Sequence, residues 1–459
     1  MRISRFTKPA AKPAPEPQDA VPEDAVPQDT VPGAAEPRRT LPPGIGVLAP
    51  QYNSVIRKCR RAKELKSEGR YDEALLLYKE AAVTCRGLAS ADPAMLGAMY
   101  GDTLAELSSC YIKLRNADEA LPVLRRANEV LERSLDAGYE GARHTLGWSL
   151  FATAATLDAL GTRGDEPAEL CLKCADILRG SAKTGDDAQA VKALDWAATK
   201  LVALKRNDDA FMARCEAVEL HRKLVAAGRP QHREKLAAGL SILALGWATR
   251  GDLQRATSSA EECRALTDGL ALDLPEKQRA DIATRFHTLG SRFSRLGRTA
   301  ECAEWLEQAA RMRRVLAAQN PSGYETVFGS SLNNYAWNLG KLDRAQAALP
   351  LAEEAVALAR RRRSADSESL GPRRLLSSAL DTQATLLAAL GRAAEALPLS
   401  REAVETVAEL RERDPDHHAK HGADIEGLLA RLEREAGDLP AAPAESDPQP
   451  PPSDLNDAH

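Results

Sequence analysis

The residues able to do chemistry are few and far apart. Cys171 and Cys174 form a CxxC. Such a pair does redox work at a helix N-terminus, or holds zinc when further ligands complete a tetrahedron. No second CxxC exists in the chain, and the apolar spacing around this one predicts a helix interior. Two packing cysteines are therefore expected, with a thiol or metal enzyme as the opposing reading. His417, His418 and His421 form HHAKH. Residues 417 and 421 share a helix face, so two of these rings could meet one metal ion. The plainer expectation is the solvated first turn of a terminal helix. Arg360 to Arg363 are four consecutive arginines at a predicted helix end, where cations suit the dipole. Docking of an acidic or phosphorylated partner is the alternative use. There is no GxxxxGKS/T, HExxH or GxSxG, and no GxGxxG after a strand. No catalysis, metal or cofactor is expected.

The elements that would position any site are legible as a repeat. One phrase recurs, in Leu296-Gly297-Arg298-Thr299-Ala300-Glu301-Cys302 and Leu390-Gly391-Arg392-Ala393-Ala394-Glu395-Ala396, with Gly69 to Ala74 as a third copy. It reads as helix stop, tight turn and helix start. Glycine takes the left-handed cap conformation cheaply, and an acidic residue suits the next helix's N-terminus. The small residue closing the phrase falls at Ala74, Ala120, Ala168, Ala210, Ala256, Cys302, Ala348 and Ala396, with spacings of 42 to 48. A fixed period in this range marks a solenoid.

Seven residues after each anchor comes a second small residue: Ala81, Ala127, Ala175, Ala217, Cys263, Ala309, Ala355 and Ala403. Two helical turns separate the pair, so both lie on one face. Twelve residues before the anchor sits Ala62, Ser108, Ala198, Ala244, Gly290, Ala336 or Ala384, with Ala154 the equivalent in repeat three after a two-residue turn insertion. Three residues on come Leu65, Tyr111, Leu157, Leu201, Trp247, Phe293, Leu339 and Leu387. In the seventh repeat Asp343 takes the turn position, and Gly340 is expected to be a packing residue inside the first helix.

This small–large–turn–small–small pattern resembles the tetratricopeptide repeat over roughly residues 51 to 437. It departs from that family in length, since the common unit has about 34 residues. Prolines lie in later loops, as in Asp92-Pro93, Arg229-Pro230, Leu274-Pro275, Asn320-Pro321 and Asp414-Pro415. Both helices of each pair are thus expected to be long, similar to kinesin light chain and to many high-GC bacterial repeat proteins. The resemblance implies an all-α right-handed superhelix of about eight helix pairs. Their expected spans are 51–90, 94–137, 140–181, 186–227, 231–269, 275–318, 322–363 and 370–413. A capping helix is expected over 416–437, with Ala430 in the small column. Pro122 and Pro398 are placed in the first turns of their second helices, where the missing donor is harmless.

The resemblance also implies a concave groove lined by first helices. The positions fifteen, fourteen and eleven residues before each anchor would face it. Repeat one supplies Cys59, Arg60 and Lys63, and repeat four Asp195, Trp196 and Thr199. Repeat six offers His287, Thr288 and Ser291, with Arg295 close by; repeat seven offers Asn333, Asn334 and Trp337; repeat eight offers Asp381 and Thr382. Leu332-Asn333-Asn334-Tyr335-Ala336 resembles the LNNLA phrase of long-repeat members, whose asparagines face a cargo peptide. Paired asparagines carry donors and acceptors that match an extended backbone, and Trp196 or Trp337 could grip an apolar side chain.

Composition bounds the rest. The formal charge is −4 with 28% charged residues, which argues against a general nucleic-acid binder. No apolar run is long enough for a membrane span, and no apolar stretch follows the basic start, so no secretory signal is expected. Eight cysteines then read as reduced thiols of a cytoplasmic protein. Residues 1–50, with proline every five residues from Pro17 to Pro42, and the acidic, proline-rich 438–459 are expected to be disordered tails flanking a 51–437 solenoid. The expected function is a non-catalytic adaptor or scaffold that holds a protein or peptide in the groove. The alternative is a peptide or small-ligand sensor regulating a partner protein.

Overall fold

A computed structural model describes residues 46–179, 185–270, 274–366, 368–413 and 415–437. Both predicted tails therefore lie almost wholly outside the described residues. Residues 46–50 are helical: Gly46–Leu48 form a 3-10 turn leading into the first helix.

The described residues form seventeen α-helices, and no strand occurs among them. The first eight are α1 (Ala49–Ser67), α2 (Tyr71–Ala89), α3 (Met95–Lys113), α4 (Ala117–Asp136), α5 (Ala142–Ala159), α6 (Glu166–Leu178), α7 (Asp186–Ala203) and α8 (Asn207–Ala226). Then follow α9 (Arg233–Thr249), α10 (Leu253–Leu270), α11 (Glu276–Arg295), α12 (Thr299–Gln319), α13 (Pro321–Gly340), α14 (Ala345–Ala365), α15 (Leu370–Ala389), α16 (Ala393–Arg413) and α17 (Pro415–Gly437). The chain divides into two compact units, Met1–Gly239 and Leu240–His459. In the first unit α1 to α8 pack in sequence, each on the next, and first helices α3, α5 and α7 also touch. In the second, α11 to α17 do the same, with α13 against α15 and α15 against α17. This is the tetratricopeptide-like arrangement that the period implied.

The eight turns inside the pairs share one closure. In each, the residue after the turn donates its N–H to the carbonyl of the large-column residue, as in Arg70 to Leu65, Asn116 to Tyr111, Arg298 to Phe293 and Arg344 to Leu339, at 2.9–3.0 Å. That is the six-to-one bond of a Schellman cap, which needs a left-handed residue just before it. Gly69, Gly161, Gly251, Gly297 and Gly391 supply it, but Arg115, Lys205 and Asp343 take the same positive φ. Four of the second helices then open on an arginine that pairs with an acid three residues on: Arg70–Glu73, Arg206–Asp209, Arg298–Glu301 and Arg392–Glu395. No hydroxyl or carboxamide caps these helices, so the acids in the first turn answer the dipole instead.

The small columns are the seams. All eight anchors are at most 5% exposed, and the second small column is at most 1% exposed. The large column is buried except Trp247, half-covered, with the Arg255 guanidinium 4.7 Å from its ring centre. Gly340 ends α13, and a Cβ there would meet Leu386 at 2.8 Å, so it is a packing residue.

Three expectations need correction. Pro122 and Pro398 are sixth in α4 and α16, in the second turn, as is Pro350 in α14. All three are exposed, so each ring projects into solvent at the cost of one helical bond. The cap α17 does not use Ala430, which is exposed; Ile425, Leu428 and Leu432 are its buried row. With no second helix described behind it, α17 needs bulk against α15 and α16 rather than a small residue for close approach. In repeat three the longer turn shortens α6 to 13 residues.

Candidate functional site

The predicted groove residues fall on first helices, and the structure treats them differently. In the second unit α11, α13 and α15 follow one another. Trp337 is 38% exposed, with Lys341 Nζ 5.2 Å from its ring centre. Asn334 is half-buried and Arg295 is exposed. Asn333 and Thr382, by contrast, are 7% and 3% exposed. They lie in the helix seam, and the Asn333 carboxamide oxygen has no hydrogen-bond partner. Asn338 Nδ2 donates to the Asn334 carbonyl at 2.8 Å. Asp381 is half-buried; burial, then the nearby Asp424 carboxylate, pushes its carboxyl up to about 6.

The centre of this face is a polar cluster that sequence reading only half saw. His287 on α11 lies with Nδ1 3.3 Å from Ser331 Oγ and Nε2 3.2 Å from Asn334 Nδ2, both on α13. Behind them is Arg313 of α12, 7% exposed. Its Nη1 donates to Ser331 Oγ at 2.6 Å and to the Val327 carbonyl at 3.1 Å, and its Nη2 to Thr284 Oγ1 at 3.3 Å. No carboxylate pairs with it among the described residues. Burial lowers its pKa to about 10. Burial, then the Arg313 charge, holds His287 down to about 4, so its ring is neutral at ordinary pH. The column eleven residues after the anchor does not single Arg313 out: four repeats place the buried apolar Cys85, Leu131, Ala359 and Val407 there, and the other four place Arg179, His221, Thr267 and Arg313.

The same column in repeat four holds His221. It is 1% exposed; its Nε2 lies 3.1 Å from Asp195 Oδ2, and its Nδ1 3.1 Å from His232 Nδ1. Arg214 Nη1 donates to the other Asp195 oxygen at 2.5 Å. Asp195, expected in the groove, is thus engaged inside. Burial, then His221, lowers the His232 pKa. Trp196 is half-buried, edge-on to Phe151 at 6.5 Å and under Lys200 Nζ at 4.8 Å. Arg60 and Lys63 are exposed on α1.

Cys171 and Cys174 are both fully buried inside α6, and burial raises both thiols well above their usual range. Such thiols are inert and apolar, the reverse of a redox pair. Cys263 and Cys302 pack as expected, at 0% exposure. The four-arginine run is not a free basic patch. Arg360 pairs with Glu402, Arg361 with Glu325 and Arg363 with Glu409, because the same helix end faces acids of the neighbouring helices. The HHAKH histidines fall on α17, but their side chains lie outside the described residues. Among the described residues no group of three or more His, Cys, Asp or Glu could hold a metal ion, and no helix is long and apolar enough to cross a membrane.

No family model and no curated protein matches this chain. Among solved structures, the putative kinesin light chain TPR-like repeats of Podosopora anserina are similar at 18% identity, covering 50% of this chain and 99% of that one, with a TM-score of 0.34. BtubC (BKLC) from P. vanneervenii is similar at 19% identity over 54% and 92%, with a TM-score of 0.31. Aspartyl phosphate phosphatase F of Bacillus subtilis is similar at 10% identity over 84% and 94%, with a TM-score of 0.34. These likenesses are distant; this chain's own columns and turns give it a tetratricopeptide-like fold.

Proposed function

We propose that the protein is a non-catalytic recognition module whose first-helix face in the second unit, on α11, α13 and α15, holds an extended segment of a partner protein. The observation that carries this is Trp337. It is a large indole, 38% exposed, in a chain with 4% aromatic residues, and it stands one turn from Asn334. An apolar anchor beside a carboxamide suits a peptide: the ring takes a side chain and the amide takes the backbone. His287, Arg295 and Asp381 supply further polar groups on the same set of helices. The inert Cys171 and Cys174 thiols favour binding over thiol chemistry.

The test is affinity capture by the full-length chain, followed by a titration of the captured partner. Trp337→Ala should weaken binding at least tenfold, and Asn334→Ala should weaken it too, with helicity unchanged. Equal affinity of wild type and both variants would remove this face from the function.

A further inference from the structure

The hydrogen-bonded chain Arg313–Ser331–His287–Asn334 can be wired in two ways with its heavy atoms in the same places. In the outward wiring, Arg313 Nη1 donates to Ser331 Oγ and the Ser331 hydroxyl donates to a bare His287 Nδ1. His287 Nε2–H then donates to the Asn334 carboxamide oxygen, and the Asn334 NH2 group turns away from the cluster. In the inward wiring, Asn334 Nδ2 donates to a bare Nε2, and Nδ1–H donates to Ser331 Oγ. The serine oxygen then receives two donors, its own proton has no acceptor in the chain, and Asn334 shows its oxygen instead. The two differ by a half-turn of the amide, which brings Oδ1 to the place of Nδ2, 3.2 Å from Nε2.

Electrostatics choose between them. Arg313 is a buried cation that no carboxylate pairs with among the described residues, and in a poorly solvated interior its charge orients nearby dipoles strongly. The bare nitrogen is the negative end of a neutral imidazole. Outward wiring aims that end toward Arg313; inward wiring aims an N–H at it. Outward wiring also gives every proton between Arg313 Nη1 and Asn334 Oδ1 an acceptor and leaves the Asn334 N–H groups to the face, whereas inward wiring strands the serine proton inside the cluster. The Val327 carbonyl, one turn before Ser331, already takes Arg313 Nη1.

We infer that Arg313 is a positioning residue, acting through Ser331 and His287 to fix Asn334 with its amide N–H groups outward, so that this point of the face takes a hydrogen-bond acceptor, a main-chain carbonyl of the partner. The inference rests on the peptide-binding reading above and sharpens it: a partner strand must present a carbonyl, not an N–H, over Asn334. Because His287 stays neutral down to about pH 4, the wiring holds across the neutral range.

The experiment needs no partner. Ring nitrogens of His287 are read by NMR in the 15N-histidine-labelled full-length protein and assigned by their loss in His287→Gln. Outward wiring gives the Nε2–H tautomer. Arg313→Met should lose that preference, and Arg313→Lys, which keeps the charge, should retain it. Asn334→Asp should also retain it, since a carboxylate against Nε2 can only accept. A wild-type ring protonated on Nδ1, or a tautomer indifferent to Arg313→Met, would overturn the inference. If Arg313→Met fails to fold, the wild-type, Arg313→Lys and Asn334→Asp spectra still decide it. The two readings fail separately: a partner insensitive to Trp337→Ala and Asn334→Ala removes the peptide face, while the tautomer judges the wiring.

Discussion

Arg115, Lys205 and Asp343 hold left-handed backbone at φ of 57°, 62° and 57°, where five sister turns use glycine. A side chain there is disfavoured, yet the Schellman bond demands the conformation. Replacing any one with glycine should stabilise by about 1 kcal/mol, read as a rise in the denaturant midpoint at unchanged slope. The buried titratable groups make a second prediction, and their signs oppose. His287 is depressed to about 4 from 6.5, so the unfolded chain binds its proton first, and stability falls as pH drops from about 6.5 to 4. Asp381 is raised from 3.8 to about 6, so the folded state binds its proton first, and stability rises as pH drops through that window. Thermal melts should therefore separate in opposite directions: His287→Gln relieves the acid loss, and Asp381→Asn removes the acid gain.

At the scale of the helix, the seams decide stability. Ala309 is wholly buried where α12 meets its neighbours; Ala309→Leu should cost about 1–3 kcal/mol by overpacking, measured by chemical denaturation. In the cap, where bulk is wanted, Leu432→Ala should cost about 2–5 kcal/mol by leaving a cavity. This contrast explains what was legible beforehand. The period, the anchors and the helix limits could be read because each repeat must bury the same face against the next, which stamps one pattern on the chain eight times. Ala430 misled because the terminal helix has only one side to cover, so its pattern need not match. Asn333 sits in a column that is already half-buried at Cys59, Asp195, His287 and Asp381, and Thr382 shares the position of the exposed Arg60 but is packed in α15. Arg313 reaches the face from behind, on a second helix, where the resemblance places no groove residue, and its column gives no clue because Arg179, His221 and Thr267 occupy it too.

On the scale of the whole molecule, the proposed recognition face is made of residues from different repeats, joined by packing and by the His287 contacts to Ser331 and Asn334. Trp337, Asn334 and His287 belong to two units of the period, so weakening the seam between α11, α12 and α13 should lower partner affinity without touching the face. Across the outer helices runs a second set of ties, Arg125–Glu166, Lys173–Glu132 and Arg179–Glu216 in one unit, Arg314–Glu354, Arg360–Glu402 and Arg401–Glu433 in the other. Each is exposed and worth well under about 1 kcal/mol. Their regularity matters more than their strength. Ala348 and Ala396 are 48 residues apart, and Glu354 and Glu402 share that offset. A chain spliced directly from Asn320 to Ser369 would bring Glu402 opposite Arg314, along with a matching small residue and a matching turn. Such a shortened chain should reseal and melt cooperatively while losing the indole and both asparagines. It would keep its helix seams and lose the proposed recognition face.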